Sequence, residues 1–300
     1  MENLCNICPR NCNVDRSKSL GFCKGSNNVK LSKVMLHYFE EPIISGDQET
    51  NKNGSGAVFF SNCTLKCLYC QNSEISAGGS GKEISVQTLA DIFKQLEDAG
   101  ANNINLVSPT HYTKQIIEAL NIYRPKIPIV WNTSGYEKAE TIKMLKDYVD
   151  VYLTDFKYVN SELSGRLSLA PNYFEECSKA TLEMRKNQPQ DIIEDGIMKK
   201  GMIVRHLVLP GQTTDSKAVI DWIYNNLGNQ TYFSLMSQYV PMAKAKEISS
   251  INRKISPLEY KILVNKLNEL EFKNAFVQEF SSAETVYTPD FSTQDEKFTF

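Results

Sequence analysis

Seven short apolar runs punctuate the chain, and none alternates with polar residues for long: AVFF (57–60), INLV (104–107), IPIVW (127–131), VDVYL (149–153), MIVRHLVL (202–209), YFSLM (232–236) and NAFV (274–277). Strands buried on both faces read this way, and such strands belong to parallel sheets covered by helices. The intervening segments supply the helices. Leu89, Ile92, Phe93 and Leu96 make one stripe, opened by Ser85 as N-cap. SPLE at 256–259 opens another, with Ser256 as cap, Pro257 at the first position and Glu259 closing a capping box, ahead of Leu263, Leu267 and Leu270. Repeated βα units with right-handed crossovers give a doubly wound sheet or a barrel. The expected class is α/β, a partial or complete (β/α) barrel, over residues 31–285. A cysteine-rich arm (1–30) precedes it, a polar connector (45–56) interrupts it, and an irregular tail (286–300) follows.

Polar residues sit at the ends of these runs. Cys63 follows the first, Ser108 the second, Asn132 the third and Asp155 the fourth. Arg205 and His206 lie late in the fifth, and Gln238 and Gln278 follow the sixth and seventh. In a barrel those ends gather at one mouth, where chemistry is housed.

The stretch NCTLKCLYCQN places Cys63, Cys67 and Cys70 within eight positions. Three thiolates are one short of a structural zinc and one more than a disulfide uses. On a four-iron cubane they leave one iron without a protein ligand, free for substrate or cofactor. The competing readings are zinc with a fourth ligand from His37 or His111, and three reduced thiols. The N-terminus, MENLCNICPRNC, has no apolar leader region, and no apolar run reaches the length of a membrane span. A cytoplasmic protein is therefore expected, with its eight cysteines as metal ligands or free thiols. A net charge of −2 with interspersed signs argues against long nucleic acid as a partner.

The spacing C-x3-C-x2-C directly after a strand, with Tyr69 before the last cysteine, resembles the signature of radical S-adenosylmethionine (SAM) enzymes. HYFEEPIISG, FFSNCTLKCLYCQN, INLVSPTHYT, IPIVWNTSGYE, VDVYLTDFKY, IVRHLVLPG and SLMSQYVP resemble consecutive blocks of the group similar to the pyruvate formate-lyase activating enzyme. The CNICPRNC start resembles the branch of that group with an N-terminal cysteine quartet. The resemblance implies an enzyme with a [4Fe-4S] cluster on Cys63, Cys67 and Cys70. It would reductively cleave SAM to a 5'-deoxyadenosyl radical that takes hydrogen from substrate, using a flavodoxin- or ferredoxin-like electron donor.

The resemblance also implies roles for particular residues. Ser108 and Thr110, in VSPTHY, stand where many members carry Gly-Gly-Glu to receive the methionine amino group. Asn132 and Ser134 are candidates to hydrogen-bond cofactor or substrate, or to form a turn. In DFK, Lys157 pairs with the cofactor carboxylate and Asp155 fixes its position, unless the two are only a strand-end ion pair. Arg205 and His206, adjacent in a strand, point to opposite faces. Arg205 is expected on the cofactor side, and His206 against ribose or adenine or in a structural role. His111 and Gln238 are candidate substrate contacts, and Cys177 is expected to be an ordinary buried thiol.

Cys5, Cys8, Cys12 and Cys23 (C-x2-C-x3-C-x10-C) suit either a tetrahedral zinc or a second iron–sulfur cluster. Three substrate classes remain. The chain activates a glycyl radical enzyme, or it acts on a small molecule, or it is a non-catalytic metal-binding or electron-transfer module. The small-molecule class is preferred. Among proteins similar to this group the activity that fits is that of a queuine lyase, which frees queuine from queuosine 5'-phosphate for salvage. Lys66, Lys157, Arg205 and Arg253 are the cations expected to meet a phosphate.

Overall fold

The computed structural model describes residues 4–46, 53–280, 289–293, 295 and 297–300. The middle of the connector 45–56, the expected barrel end at 281–285 and part of the tail 286–300 lie outside the described residues. In chain order the elements are β1 (Val29–His37), α1 (Pro42–Ser45), β2 (Ser55–Phe60), α2 (Ser73–Ser76), β3 (Lys82–Ile84), α3 (Val86–Asp98) and β4 (Ile104–Val107). Next come α4 (Thr113–Ile122), β5 (Ile129–Thr133), α5 (Ala139–Met144), β6 (Val151–Asp155), α6 (Ser161–Ser168), α7 (Tyr173–Asn187), β7 (Ile192–Glu194) and β8 (Ile197–Leu207). The last are α8 (Thr213–Leu227), β9 (Tyr232–Met236), α9 (Pro257–Glu269) and β10 (Ala275–Val277).

One sheet carries the order β10-β9-β8-β6-β5-β4-β2-β1-β3, with β7 paired to β8 off this path. From β2 to β10 along the path the strands are parallel, while β1 joins β2 and β3 joins β1 antiparallel. No ladder among the described residues joins β3 or β1 to β10, so the barrel is partial. All seven expected runs are strands. β5 and β6 begin two residues later than their apolar runs, and β8 begins five residues earlier and stops at Leu207. The arm 1–30 overlaps β1, which already starts at Val29.

Both faces of the parallel sheet are apolar, as the unalternating runs require. Val58, Phe60, Leu106, Trp131, Tyr152, Val204 and Phe233 pack outward in the large core with the helices. Val130, Val151, Leu153 and Ile203 pack inward around Ile44 of α1. Ser85 caps α3 through Thr88 N, and Ser256 with Glu259 forms the capping box of α9. Leu89, Ile92, Phe93 and Leu96 are buried.

The short helix α1 closes the floor of the barrel. Asn102 and Asn103, just before β4, donate side-chain amides to the Ser45 and Ile44 carbonyls at 3.0 and 2.7 Å. At the open side, the buried Lys33 ammonium on β1 donates to the carbonyls of Asp290 and Thr293 at 2.5 and 2.7 Å, seating a tail segment there. No helix among the described residues is long and apolar enough to cross a membrane.

Candidate active site

The loop after β2 is tight. Asn62 and Lys66 both adopt positive φ, 76° and 63°, which lets Cys63, Cys67 and Cys70 turn into one cavity. Their sulfurs are held by donors. Ser168 Oγ donates to Cys67 Sγ at 3.0 Å, Ser76 Oγ to Cys70 Sγ at 3.3 Å, and Leu65 N to Cys63 Sγ at 3.4 Å. Burial pushes the Cys67 thiol up to about 12 and raises Cys70 as well. A cation bound by such a thiol displaces its proton to solvent, and hydrogen bonds to sulfur are a usual feature of iron–sulfur sites.

The loop is pinned from behind. Arg10 Nε donates to Thr64 O at 2.8 Å, and its terminal nitrogens reach the carbonyls of Leu65, Ser168 and Leu169. Its guanidinium lies 3.7 Å over the Phe22 ring and 5.0 Å over that of Tyr136. Leu68 N bonds Leu167 O at 2.9 Å, so the end of α6 and the cysteine loop form one unit.

Opposite the cysteines lies a buried ionic set. Asp155 pairs with Lys157 at 2.5 Å and with Arg205 Nε at 2.9 Å. Arg205 also donates to Glu40 Oε2 at 2.9 Å and Asn132 Oδ1 at 2.7 Å. Asn105 and Asn132 donate their amides to Glu40 Oε1 at 3.1 and 3.0 Å. Burial opposes charge at Asp155, but Lys157 and Arg205 beside it hold its carboxyl below the usual range. Against the same burial, Asp155 holds Lys157 above its ordinary value. Glu41, buried next to Arg205 and Glu40, is pushed up by desolvation.

Eight of the expected cofactor or substrate residues line this cavity with the three cysteines: Tyr69, Ser108, Asn132, Ser134, Asp155, Lys157, Arg205 and Gln238. Ser108 does so with φ at 57°. Gly135, at φ 78°, lets the turn after β5 approach β6, since a Cβ there would stand 2.2 Å from Asp155 O. Tyr69 Oη lies 2.5 Å from Tyr158 Oη, which in turn meets Ser168 Oγ at 2.8 Å.

Three expected contacts go elsewhere. Strand alternation that turns Arg205 inward turns His206 outward, where its ring nitrogens meet Phe156 O at 2.7 Å and Ser216 Oγ at 2.9 Å. Thr110 is rotated away by a helical turn and donates to Glu137 at 2.7 Å. His111 is fully packed, with Nε2 2.8 Å from Ser61 O and its carbonyl held by Arg16. Of the cations considered for a phosphate, Lys157 and Arg205 are committed to carboxylates, Arg253 pairs with Glu259 at the surface, and Lys66 lies over Phe22. Cys177 is buried against Tyr173 and Thr181, and burial pushes its thiol up to about 12.

Sequence reasoning missed Glu40, the hub of the ionic set. The signal was present as two adjacent carboxylates before a proline, EEP, in an otherwise apolar stretch.

A sequence model described as the radical SAM superfamily matches residues 57–223. The chain belongs to the radical SAM superfamily. It is 33% identical over 262 residues to an uncharacterized protein of Methanocaldococcus jannaschii, covering 84% of this chain and 70% of that one. Streptococcus suis SuiB bound to S-adenosylmethionine superposes with a TM-score of 0.50 at 14% identity over 74% of this chain. HydG, a maturase of the [FeFe]-hydrogenase, superposes with a TM-score of 0.50 at 12% identity over 72%. At such identities the likeness is one of fold, and the chain spans 50% and 48% of those two structures.

Membership implies SAM and a [4Fe-4S] cluster, and the residues fit both. Among the described residues no three His, Cys, Asp or Glu side chains close around one point to hold a single metal ion. A cubane asks for something else, since each thiolate binds a different iron. Cys63, Cys67 and Cys70 line one cavity and meet that demand, and Lys157 and Glu40 line it as well. In the N-terminal arm, Cys5, Cys8, Cys12 and Cys23 are all free thiols.

Proposed function

We propose that this radical SAM protein abstracts hydrogen from a small molecule, and that the substrate is a nucleotide from which a base is released. Queuosine 5'-phosphate, giving queuine, is the candidate. The observation that carries the reading is the cavity's lining: the three cysteines and the ionic set share it with Phe59, Val107, Leu207 and the seated tail segment at Pro289, while Ile44 of α1 packs among the strands beside it. A self-neutralised cavity lined in this way suits a compact guest better than a protein loop.

When bound, the cluster and SAM supply the one-electron chemistry that yields a hydrogen-abstracting reagent. The chain's residues do the rest. Cys63, Cys67 and Cys70 hold the cluster, with Ser76 and Ser168 donating to its thiolates. Lys157 meets the carboxylate of the cofactor's methionine moiety, and Asp155, itself held by Arg205, keeps the Lys157 ammonium in place. Ser134 and Ser108 offer neutral donors and acceptors for the remaining polar groups, while Asn132 spans Glu40 and Arg205. Phe59, Val107 and Leu207 keep water from the reacting atoms. A flavodoxin- or ferredoxin-like protein delivers the electron, and the N-terminal quartet holds zinc or a second cluster.

The test is anaerobic reconstitution with iron and sulfide, followed by reduction in the presence of SAM and queuosine 5'-phosphate. Queuine and 5'-deoxyadenosine should appear in equal amounts. If 5'-deoxyadenosine forms at the same slow rate with or without the nucleotide, yet a glycine-containing peptide accelerates it, the protein is an activase and this reading fails.

A further inference from the structure

This inference rests on the reading above, that the cavity takes a small molecule beside the cofactor, and concerns which part of that molecule is recognised. One histidine lines the cavity outside the ionic set. His37, the last residue of β1, is 8% exposed and lines the cavity, and its Nδ1 is buried with no hydrogen-bond partner among the described residues. A buried ring nitrogen left unpaired costs roughly 1–3 kcal/mol. His206 pairs both of its nitrogens; His111 also leaves Nδ1 unpaired, but of these three histidines only His37 lines the cavity.

The surroundings fix the His37 ring and its protonation state. The Phe39 and Phe59 rings stand nearly perpendicular to it, at 75° and 87°, with centroids 5.6 and 6.2 Å away. Burial keeps the imidazole below its ordinary value against the pull of Glu40, so at neutral pH one nitrogen is a donor and the other an acceptor.

The rest of the lining selects the chemistry of the guest. Charge within the cavity is already matched, Lys157 and Arg205 against Asp155 and Glu40. The uncommitted lining on the β1 side is apolar or aromatic. Met236 and Gln238 line the same cavity; the Gln238 oxygen accepts from Gln278 at 3.2 Å, but its amide nitrogen has only the Met236 sulfur at 3.8 Å, a weak acceptor. Flat apolar faces, a polarizable thioether and two under-used neutral polar groups suit a planar, uncharged ring with donors and acceptors along its edge.

We propose that His37 is a substrate-recognition residue, and that the slot between His37–Phe59 and Met236–Gln238 binds a nucleobase-class heterocycle. His37 hydrogen-bonds the ring edge, Phe59 and Met236 contact its faces, and any sugar phosphate lies toward the mouth, outside the matched charges.

The experiment is equilibrium dialysis of the reconstituted, SAM-loaded full chain against 7-deazaguanine, guanine and ribose 5-phosphate, with wild type, His37→Phe and His37→Asn. Wild type should bind at least one of the bases and not ribose 5-phosphate. His37→Phe should weaken the base by about tenfold or more, the loss of one buried hydrogen bond, and His37→Asn should recover part of it. The SAM-induced change in the electron paramagnetic resonance (EPR) spectrum of the reduced cluster should be the same in all three proteins. Equal base binding by wild type and His37→Phe overturns the proposal, as does the absence of base binding in wild type. Loss of the SAM-induced change in His37→Phe would also overturn it by assigning His37 to the cofactor. Base binding that depends on His37 without queuine release would leave this inference standing while the lyase reading falls.

Discussion

Two groups of cysteines pack back to back, and their surroundings differ in kind. Cys63, Cys67 and Cys70 face a cavity, receive hydroxyl donors from Ser76 and Ser168, and look across at buried charges. In the quartet, Cys12 and Cys23 take backbone donors, Phe22 N at 3.2 Å and Gly25 N at 3.4 Å, and burial pushes Cys8 up to about 12. None of the four lines the cavity. Reactive sulfur needs an open side and a tuned environment, whereas the quartet is wrapped by its own backbone. Arg10, between Cys8 and Cys12 in sequence, is where the two regions meet.

The largest expected effect comes from alanine at Cys63, Cys67 or Cys70. Each should abolish SAM cleavage and the cubane EPR signal. Alanine at Cys5, Cys8, Cys12 or Cys23 should lower the melting temperature and leave that signal measurable. If the quartet variants erase it as completely, the two regions are a single functional unit and the contrast is wrong.

Arg10→Ala tests the junction. It removes charge-assisted bonds to the cysteine loop and the end of α6, each worth roughly 1.5–3 kcal/mol. Iron bound at the three-cysteine site should fall on gel filtration while metal at the quartet stays. Retention of full iron at both sites would mean that the loop holds its shape unaided.

Smaller still is Ser168→Ala. Losing one hydrogen bond to Cys67 sulfur, about 1 kcal/mol, should lower the cluster potential by about 40 mV for a one-electron couple. Redox titration with and without SAM reads this directly. An unchanged potential would mean that the hydroxyl serves Tyr158 rather than the sulfur.

The mildest test uses pH and lies outside both groups. Burial lowers His206 to about 4 and His111 to about 3, from an ordinary value of 6.5. Both stay neutral in the folded chain, while the unfolded chain takes up their protons below 6.5. Stability should therefore be level above pH 7 and fall as pH drops through 6.5 towards 4, by up to about 1.4 kcal/mol per pH unit for each histidine. Thermal melts of the anaerobic holoprotein at pH 7.5, 6 and 5 check the slope, and His206→Gln should flatten it.

The parallel strands were legible because burial on both faces leaves little choice of residue: all seven runs became strands. β1 was not, because VKLSKVMLH mixes two lysines into its apolar pattern, and only the tertiary fold shows that the Lys33 ammonium donates to tail carbonyls. The cysteine loop was legible from spacing alone. Arg205 and His206 could be sorted by alternation. Thr110 and His111 could not, because a single helical turn after β4 decides which way they point. Glu40 escaped because its partners Asn105, Asn132 and Arg205 lie 65, 92 and 165 residues away. His37 was considered only as a metal ligand, since a lone histidine carries no signal that its ring nitrogen is left without a partner.

The stoppered floor of the barrel has a kinetic corollary. With Ile44 packed into one end, a guest lodged toward that end must arrive before a guest nearer the opening and depart after it. If the His37 slot is the inner berth, binding should be sequential: excess SAM added before the nucleotide would slow its entry, and a trapped product would report how long the doorway stays shut.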